Sequence, residues 1–391
     1  MKNETTAPSP IDCMIDFLTT HYAFRYNTVM NCTEYRPVDS PVGSFEPLDL
    51  RTRRRIILEV QREGMEVSQN DIRNYIDSDY VRQYDPVGDY LAECEGVWDG
   101  HDHIGDLART VPTDTPLWRE WFTTWLLAMV SQWQNQSSRL YGNSVAPLLI
   151  SPQGYNKSTF CRRLLPDALK WGYTDSLALS DRRQVMLAMS QQLLINLDEF
   201  NQISPRVQQG FLKNIIQLPS VKVKRPFGTH IEELPRKASF IATSNMTDIL
   251  ADPSGNRRFI GIELTAPIDT SRVPDHRQLF AQALQLLRNG RRSWFDKAET
   301  EQIMLWNRRY EIQEPADQYF SLCFSVAADP LDPAAEWLST AEIFDVVKQK
   351  VGSSLKANTL IAFGRKLANM PGMHRRKCET CTRYLVRRVG Q

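Results

Sequence analysis

Long apolar runs are missing from this chain of 391 residues. The longest, Trp125 to Val130, is far too short to cross a bilayer, which takes about 20 apolar residues. A secretory leader is not evident either, because the opening MKNETTAPSP carries no apolar core. Cysteine is sparse and irregular: seven residues, an odd number, scattered from Cys13 to Cys381. That spacing argues against a disulfide framework and points to reduced thiols in a cytoplasmic protein with no membrane partner. Excess charge is absent as well. With a net charge of +1, any nucleic-acid surface must come from local segregation of charge. No internal repeat or low-complexity segment stands out.

What is present is an ordinary soluble composition in a chain long enough for two or three domains, each with its own core. The first part reads as mainly helical. Apolar positions suggest a helix from Ile11 to Tyr22, then an extended piece at Phe24–Asn27. Arg51 to Gly64 follows as a helix with Ile56, Ile57 and Val60 on one face. Its Arg53-Arg54-Arg55 cluster reads either as a solvated face or as a contact for a phosphate backbone. Ser68 is a candidate N-cap for the next helix. Asp99, His101, Asp102 and His103 invite a metal reading, but an Asp-rich helix start explains them too, and no further Cys or His lies at ligand spacing. Trp118 to Met129 has the apolar spacing of a buried helix.

Chemistry enters at Leu148–Phe160. An apolar run leads into Ser151-Pro152-Gln153-Gly154-Tyr155-Asn156 and then Lys157-Ser158-Thr159, the layout of a P-loop. Ser151 and Asn156 stand where the pattern has glycine. In such a loop, backbone N–H groups from Gln153 to Thr159 wrap the phosphates of ATP. Lys157 reaches the β- and γ-phosphates, and Ser158 offers its hydroxyl to Mg²⁺. Asn is the least damaging substitute for glycine here, since it visits left-handed backbone more readily than other residues.

A second element supports the first. Gln192 to Phe200 is an apolar strand ending in Asp198-Glu199, the Walker B arrangement. Asp198 would hold Mg²⁺, and Glu199 would orient or deprotonate the attacking water. A third strand, Ala238–Thr243, leads to Asn245, suited to positioning that water. Arg257 and Arg258 follow a Gly-Asn turn, and either could serve as an arginine finger on a neighbouring subunit. Between the acidic strand and the Asn strand, Arg206–Leu218 reads as a helix. After it, Lys222, Lys224 and Arg225 sit on a hairpin, which is either a solvated edge or a grip on single-stranded DNA in a ring pore.

These motifs together resemble the virulence-associated protein E family. The resemblance runs from about residue 85 to 265, through SPQGYNKSTFCRRLLP, LLINLDEF, VKRPFG and ATSN, with GNRRF its most specific part. Proteins of that family look like superfamily 3 helicases and the helicase half of phage and plasmid primase-helicases. The resemblance implies an AAA+-like core, a hexameric ring, and ATP-driven work on DNA in the replication of mobile elements, beside primase or other replication proteins. It places the catalytic roles on Lys157, Ser158, Asp198, Glu199, Asn245 and the Arg257/Arg258 pair. The family usually has glycine where this chain has Asn156. No primase-type acidic cluster lies upstream, so primer synthesis is not carried over.

Charge segregates at the C-terminus, where Val351–Gln391 holds nine Lys/Arg against one acid, Glu379. Two helices, begun at Ser339 or Thr340 and at Asn358, followed by a basic hairpin resemble a winged helix. Lys356, Arg365, Lys366 and Arg387 then become candidates for duplex DNA. His374, Cys378 and Cys381 form a partial zinc pattern without a fourth ligand nearby.

The expected fold class is α/β. A P-loop NTPase core of parallel sheet and flanking helices (111–270) lies between a mainly helical N-terminal domain (1–110) and a winged-helix-like basic domain (336–391), with a helical connector and linker at 271–335. The expected function is an ATP-dependent DNA helicase or replication ATPase. A DNA-binding initiator or regulator on a degenerate ATPase scaffold, and a phosphotransferase using the same loop, are the alternatives.

Overall fold

The computed structural model describes residues 8–40, 44–134, 142–224, 230–252, 256–312, 320–327, 329–330, 332–351, 359–370, 372–378 and 381–389. Its centre is a five-stranded sheet in which every pairing is parallel, ordered Phe259–Glu263, Ala146–Ile150, Ser239–Ser244, Leu194–Leu197, Tyr173–Thr174. All residues of Ala146–Ile150, Ser239–Ser244 and Leu194–Leu197 are buried. That is why these segments read as near-continuous apolar runs: a parallel sheet covered on both faces has no solvent side to alternate with.

Two apolar cores lie against the sheet. One joins Trp118–Trp133, Pro86–Cys94, His103–Arg109 and His276–Arg288. The other joins Arg182–Gln191, the helical stretch 205–215 and Tyr310. The boundary expected at residue 110 therefore runs through one hydrophobic core, because Val87, Leu91, Ile104 and Leu107 share it with Trp125 and Phe280. The stretch expected to connect domains after residue 270 is likewise packed onto the sheet. The Asn307 side chain donates to the carbonyls of Asn256 and Phe259, and a Cβ at Gly261 would lie 2.2 Å from the Tyr310 ring. The Arg206–Leu218 helix contains a π-helical turn at Gln208–Leu212. The hairpin exists, with Ser220–Val223 antiparallel to Glu232–Pro235, while Arg225 lies outside the described residues.

The N-terminal body carries a four-stranded sheet besides its helices, ordered Glu46–Pro47, Cys32–Pro37, Tyr22–Asn27, Gln83–Tyr84. The sheet was legible only as one extended piece because its strands are short and half-buried, which blurs alternation. Helices Pro10–His21, Leu50–Arg62 and Gln69–Ile76 cover it through a separate core of Met14, Leu18, Ile56, Val60 and Ile72. Ser68 does cap the third helix, in a reciprocal box with Asp71.

At the C-terminus, helices Thr340–Val351 and Thr359–Asn369 lie with a four-stranded antiparallel sheet around Phe344, Val347, Phe363 and Tyr384. Ser339 caps the first helix, exchanging hydrogen bonds with Glu342. The basic hairpin pairs Arg375–Lys377 with Thr382–Arg388. All seven cysteines are free, and among the described residues no helix is long and apolar enough to cross a membrane.

Candidate functional site

Because the strands run parallel, the ends of three of them deliver their next residues to one edge of the sheet. Ile150 pairs with Ser244 and Leu197 with Ala242, so Ser151, Asn245 and Asp198 emerge along that edge. The Asn strand lies between the other two. Asn245 therefore stands between the Lys157 loop and the acidic pair.

After Ser151 the chain turns through Gly154 at φ 84° and Asn156 at φ 61°, both left-handed, into helix Lys157–Arg162. Among the described residues, the backbone N–H groups of Gln153 to Ser158 have no hydrogen-bond acceptor. A run of unpaired amides on a turn of this kind suits an anion. Asn156 also has a second task. Its side-chain amide donates to the Ile268 carbonyl at 3.0 Å, while the Ile268 N–H donates to the Tyr155 carbonyl at 3.2 Å.

The Lys157 ammonium is folded back over its own loop. It lies 2.7 Å from the Ser151 carbonyl, 2.9 Å from the Ser151 hydroxyl, 3.0 Å from the Pro152 carbonyl and 3.0 Å from Asn245 Oδ1. Burial pushes its pKa below the ordinary lysine value, and the Asp198 charge partly offsets this. Four neutral acceptors hold one cation here, so an arriving anion would meet a lysine already in place.

Asp198 and Glu199 are exposed at the tip of their strand. The Thr243 hydroxyl donates to Asp198 Oδ1 and orients it. Glu199 has φ 48° and ψ 48°, a left-handed conformation that costs a glutamate on the order of 1–3 kcal/mol and tends to occur at working sites. Its carboxylate accepts from the Gln202 side chain. Thr243 was not singled out from sequence. A polar residue near the end of a buried strand, in register with the acid, was the available signal.

The two arginines do not join this edge. They precede strand Phe259–Glu263, and the Arg258 carbonyl accepts from the Ala146 N–H at the start of the loop strand. One strand of five residues, about 16 Å, separates them from the lysine end. They also differ from each other. Arg258 is buried, donates to Gln217 Oε1 at 2.8 Å, and has its pKa lowered by burial and then by Arg257. Arg257 is exposed.

A hard divalent cation fits the donor set of the Ser158 hydroxyl and the Asp198 carboxylate, since Mg²⁺ takes few protein ligands and completes its shell with water and phosphate. No cluster of three or more His, Cys, Asp or Glu able to hold a metal occurs among the described residues. The histidines near residue 100 instead form pairs, His101 with Asp106 at 2.5 Å and His103 with Asp99 at 3.0 Å. Asp102 caps the following helix and accepts from Gln282 and Arg119. His374, Cys378 and Cys381 form no such cluster either.

Two cations behind the sheet were missed from sequence. Arg236 is 1% exposed and donates to the carbonyls of Ile215, Ile216, Leu218, Ala238 and Asn143, while Lys237 donates to the Trp133 carbonyl at 2.7 Å. Of the candidate DNA contacts, Lys222 lies 3.8 Å from Glu233, Lys224 and Arg365 are exposed, and Arg387 lies 3.9 Å from Asp332. Lys366 donates to the Ile312 carbonyl at 3.0 Å, which commits it to a contact inside the chain. Lys356 lies outside the described residues.

Fold and edge together define a mixed α/β protein built on a helix-flanked parallel sheet with a P-loop-like turn. The chain belongs to the virulence-associated protein E-like family, whose domain matches residues 91–312. Residues 313–386 match a domain of unknown function described from B. Theta (DUF3874). No curated protein matches the chain. Among solved structures, the apo NrS-1 C-terminal region (305–718) is similar in fold, with 12% identity, a TM-score of 0.51, and coverage of 98% of this chain and 100% of that one. An A form of the same apo region has 12% identity and a TM-score of 0.49 over the same shares of the two chains.

Proposed function

We propose that this protein is an ATP-hydrolysing motor of helicase type, with an AAA+-like core, that acts on DNA during replication of a mobile element. The observation that carries the reading is the order along one sheet edge: Lys157 loop, Asn245, then Asp198-Glu199. In this reading the loop amides and Lys157 bind the phosphates, the lysine exchanging its own loop's carbonyls for phosphate oxygens. Ser158 and Asp198 hold Mg²⁺, which neutralises charge on the transferring phosphoryl group. Glu199 orients the water and takes its proton, and Asn245 positions it. Paired carboxylates facing a water favour hydrolysis over transfer to a small acceptor.

The far placement of Arg257 supports supply in trans, as in a homo-oligomeric ring, hexameric in the family resemblance. Lys222 and Lys224 then belong to a pore hairpin facing single-stranded DNA. The C-terminal helices and basic hairpin act as a winged helix on duplex DNA, through Arg365, Arg387 and the exposed strand Arg375–Lys377. Primase or other replication proteins are the expected partners.

The test is ATP hydrolysis with and without DNA by wild type and Lys157→Ala. DNA-stimulated turnover in wild type, lost in the variant, is expected. Wild type that binds DNA but neither binds nor hydrolyses ATP would leave the initiator or regulator on an inactive scaffold, a reading that Asn156 in a glycine position favours.

A further inference from the structure

We propose that Cys378 and Cys381 form a reversible dithiol–disulfide pair, a redox clip on the C-terminal basic hairpin. The proposal rests on no part of the motor reading and stands whether or not the hairpin meets DNA.

The ladder places the two thiols opposite each other. Lys377 pairs with Thr382, and one step further along the hairpin the Cys378 N–H donates to the Cys381 carbonyl at 2.8 Å. Bonded pairs alternate with unbonded ones in an antiparallel ladder. The Leu385 N–H donates to the His374 carbonyl at 3.0 Å, so the bonded pairs are His374 with Leu385, Arg376 with Arg383, and Cys378 with Cys381. The two residues of a bonded pair have Cα atoms about 5.5 Å apart and point to the same face. A disulfide spans roughly 4.4–6.8 Å between Cα atoms. Closing the bond therefore asks for side-chain rotation and not for backbone movement.

Exposure assigns the roles. Of the seven cysteines, all among the described residues, only Cys378 is exposed; Cys381 is half-buried, and Cys94, Cys161 and Cys323 are buried. Cys378 is thus the thiol that meets an oxidant, and Cys381 the one that resolves the product. Arg376 and Arg383 share the face of the thiols two positions away, and strand Arg375–Lys377 is exposed throughout. A small anionic disulfide such as glutathione disulfide suits that surface as co-reactant. The Cys378 thiolate attacks one of its sulfurs, the S–S bond breaks, and one glutathione leaves as thiolate. The Cys381 thiolate then attacks the Cys378 sulfur and expels the second glutathione. The protein gives up two protons and two electrons, and one glutathione disulfide becomes two thiols. An exposed disulfide of this kind is readily reduced again, which makes the clip reversible.

A metal fits the hairpin less well. His374 lies four residues from Cys378, about 13 Å along the strand, whereas zinc holds its ligands at about 2.0–2.3 Å.

The experiment treats full-length protein with glutathione disulfide, alkylates the remaining thiols after unfolding, and reads them by intact mass and peptide mapping. Wild type is expected to lose two of its seven alkylatable thiols, at Cys378 and Cys381, with no glutathione retained and full recovery on reduction. Cys381→Ser should stop at the mixed disulfide and keep one glutathione on Cys378. Cys378→Ser, which leaves the half-buried partner alone, should take up no glutathione at Cys381. Wild type that retains all seven thiols, or that stops at a mixed disulfide on Cys378 with Cys381 still free, overturns the clip. A Cys378-linked dimer on a non-reducing gel overturns it as well. Zinc that shields both cysteines from alkylation in the folded protein assigns the pair to a metal and overturns the proposal.

Discussion

Asn156 and Ile268 are tied by a side-chain amide donating to a backbone carbonyl at 3.0 Å, and the Ile268 N–H returns to Tyr155. The residue that departs from the P-loop pattern thus fastens the loop to the chain that follows the last core strand. Asn156 combines a left-handed φ with this bond, which neither glycine nor alanine can do. Asn156→Gly keeps the backbone comfortable and loses one hydrogen bond, about 1 kcal/mol. Asn156→Ala loses the bond and adds a left-handed penalty of roughly 1–2 kcal/mol. Urea unfolding should rank wild type above the glycine variant and that above alanine. Alanine matching glycine would show that the loop does not hold this φ in solution.

Much of the core was legible because parallel strands advertise themselves. Ala146–Ile150, Leu194–Leu197 and Ser239–Ser244 are apolar runs ending in turn or polar residues, so their chemistry could be read directly. Helix ends capped by Ser68 and Ser339 were legible for the same local reason. Strand order was not. Nothing local states that Ser239–Ser244 lies between the other two, or that Arg257 stands at the opposite edge from Lys157. The N-terminal sheet was missed because Cys32–Pro37 and Gln83–Tyr84 are short and only half-buried. Lys366 looked like a free cation because its acceptor, the Ile312 carbonyl, is distant in sequence.

Burial depresses the Lys157 pKa below its ordinary 10.5. In the window between the two values the unfolded chain binds more protons, so the contribution to stability rises with pH there. Below the folded value the burial penalty is fully present. Lys157→Met removes the titration. The stability of wild type relative to this variant should therefore increase from neutral pH toward about pH 11, read by denaturant unfolding at each pH. A flat difference would mean that the lysine is solvated in solution.

Arg236 has no carboxylate partner among its hydrogen bonds, and burial pushes its pKa down to about 9, so it remains charged at neutral pH. Its planar fork serves five carbonyls, those of Ile215, Ile216, Leu218, Ala238 and Asn143. Arg236→Ala leaves those acceptors unpaired around a cavity and should cost about 3 kcal/mol or more. Arg236→Lys should recover only part of this, because an ammonium cannot reproduce the fork. Full recovery by lysine would reduce the site to a point charge.

Thr243 donates to Asp198, so its effect on catalysis should pass through the metal. Thr243→Val preserves shape in a fully buried strand and removes the donor. ATP hydrolysis should then need roughly 10–100-fold more Mg²⁺ for half-maximal rate, the range for losing a residue that orients a ligand. At saturating Mg²⁺ the rate should largely return. An unchanged Mg²⁺ dependence would separate Asp198 from the metal.

Arg257 and Arg258 adjoin in sequence but should fail differently. Arg258 is buried, with Gln217 as its partner, so Arg258→Ala should lower the melting temperature, by about 1–3 kcal/mol in stability. Arg257 is exposed and about 16 Å of strand from the lysine edge of its own chain, so Arg257→Ala should leave stability intact and abolish most turnover. Mixing supplies the decisive measurement. Subunits carrying Lys157→Ala retain a finger without a working loop, and subunits carrying Arg257→Ala retain a loop without a finger. Co-assembled, they should regain part of the ATPase rate, since one intact loop can face one intact arginine. No regain, in mixtures shown by native mass to co-assemble, would remove Arg257 from catalysis across subunits.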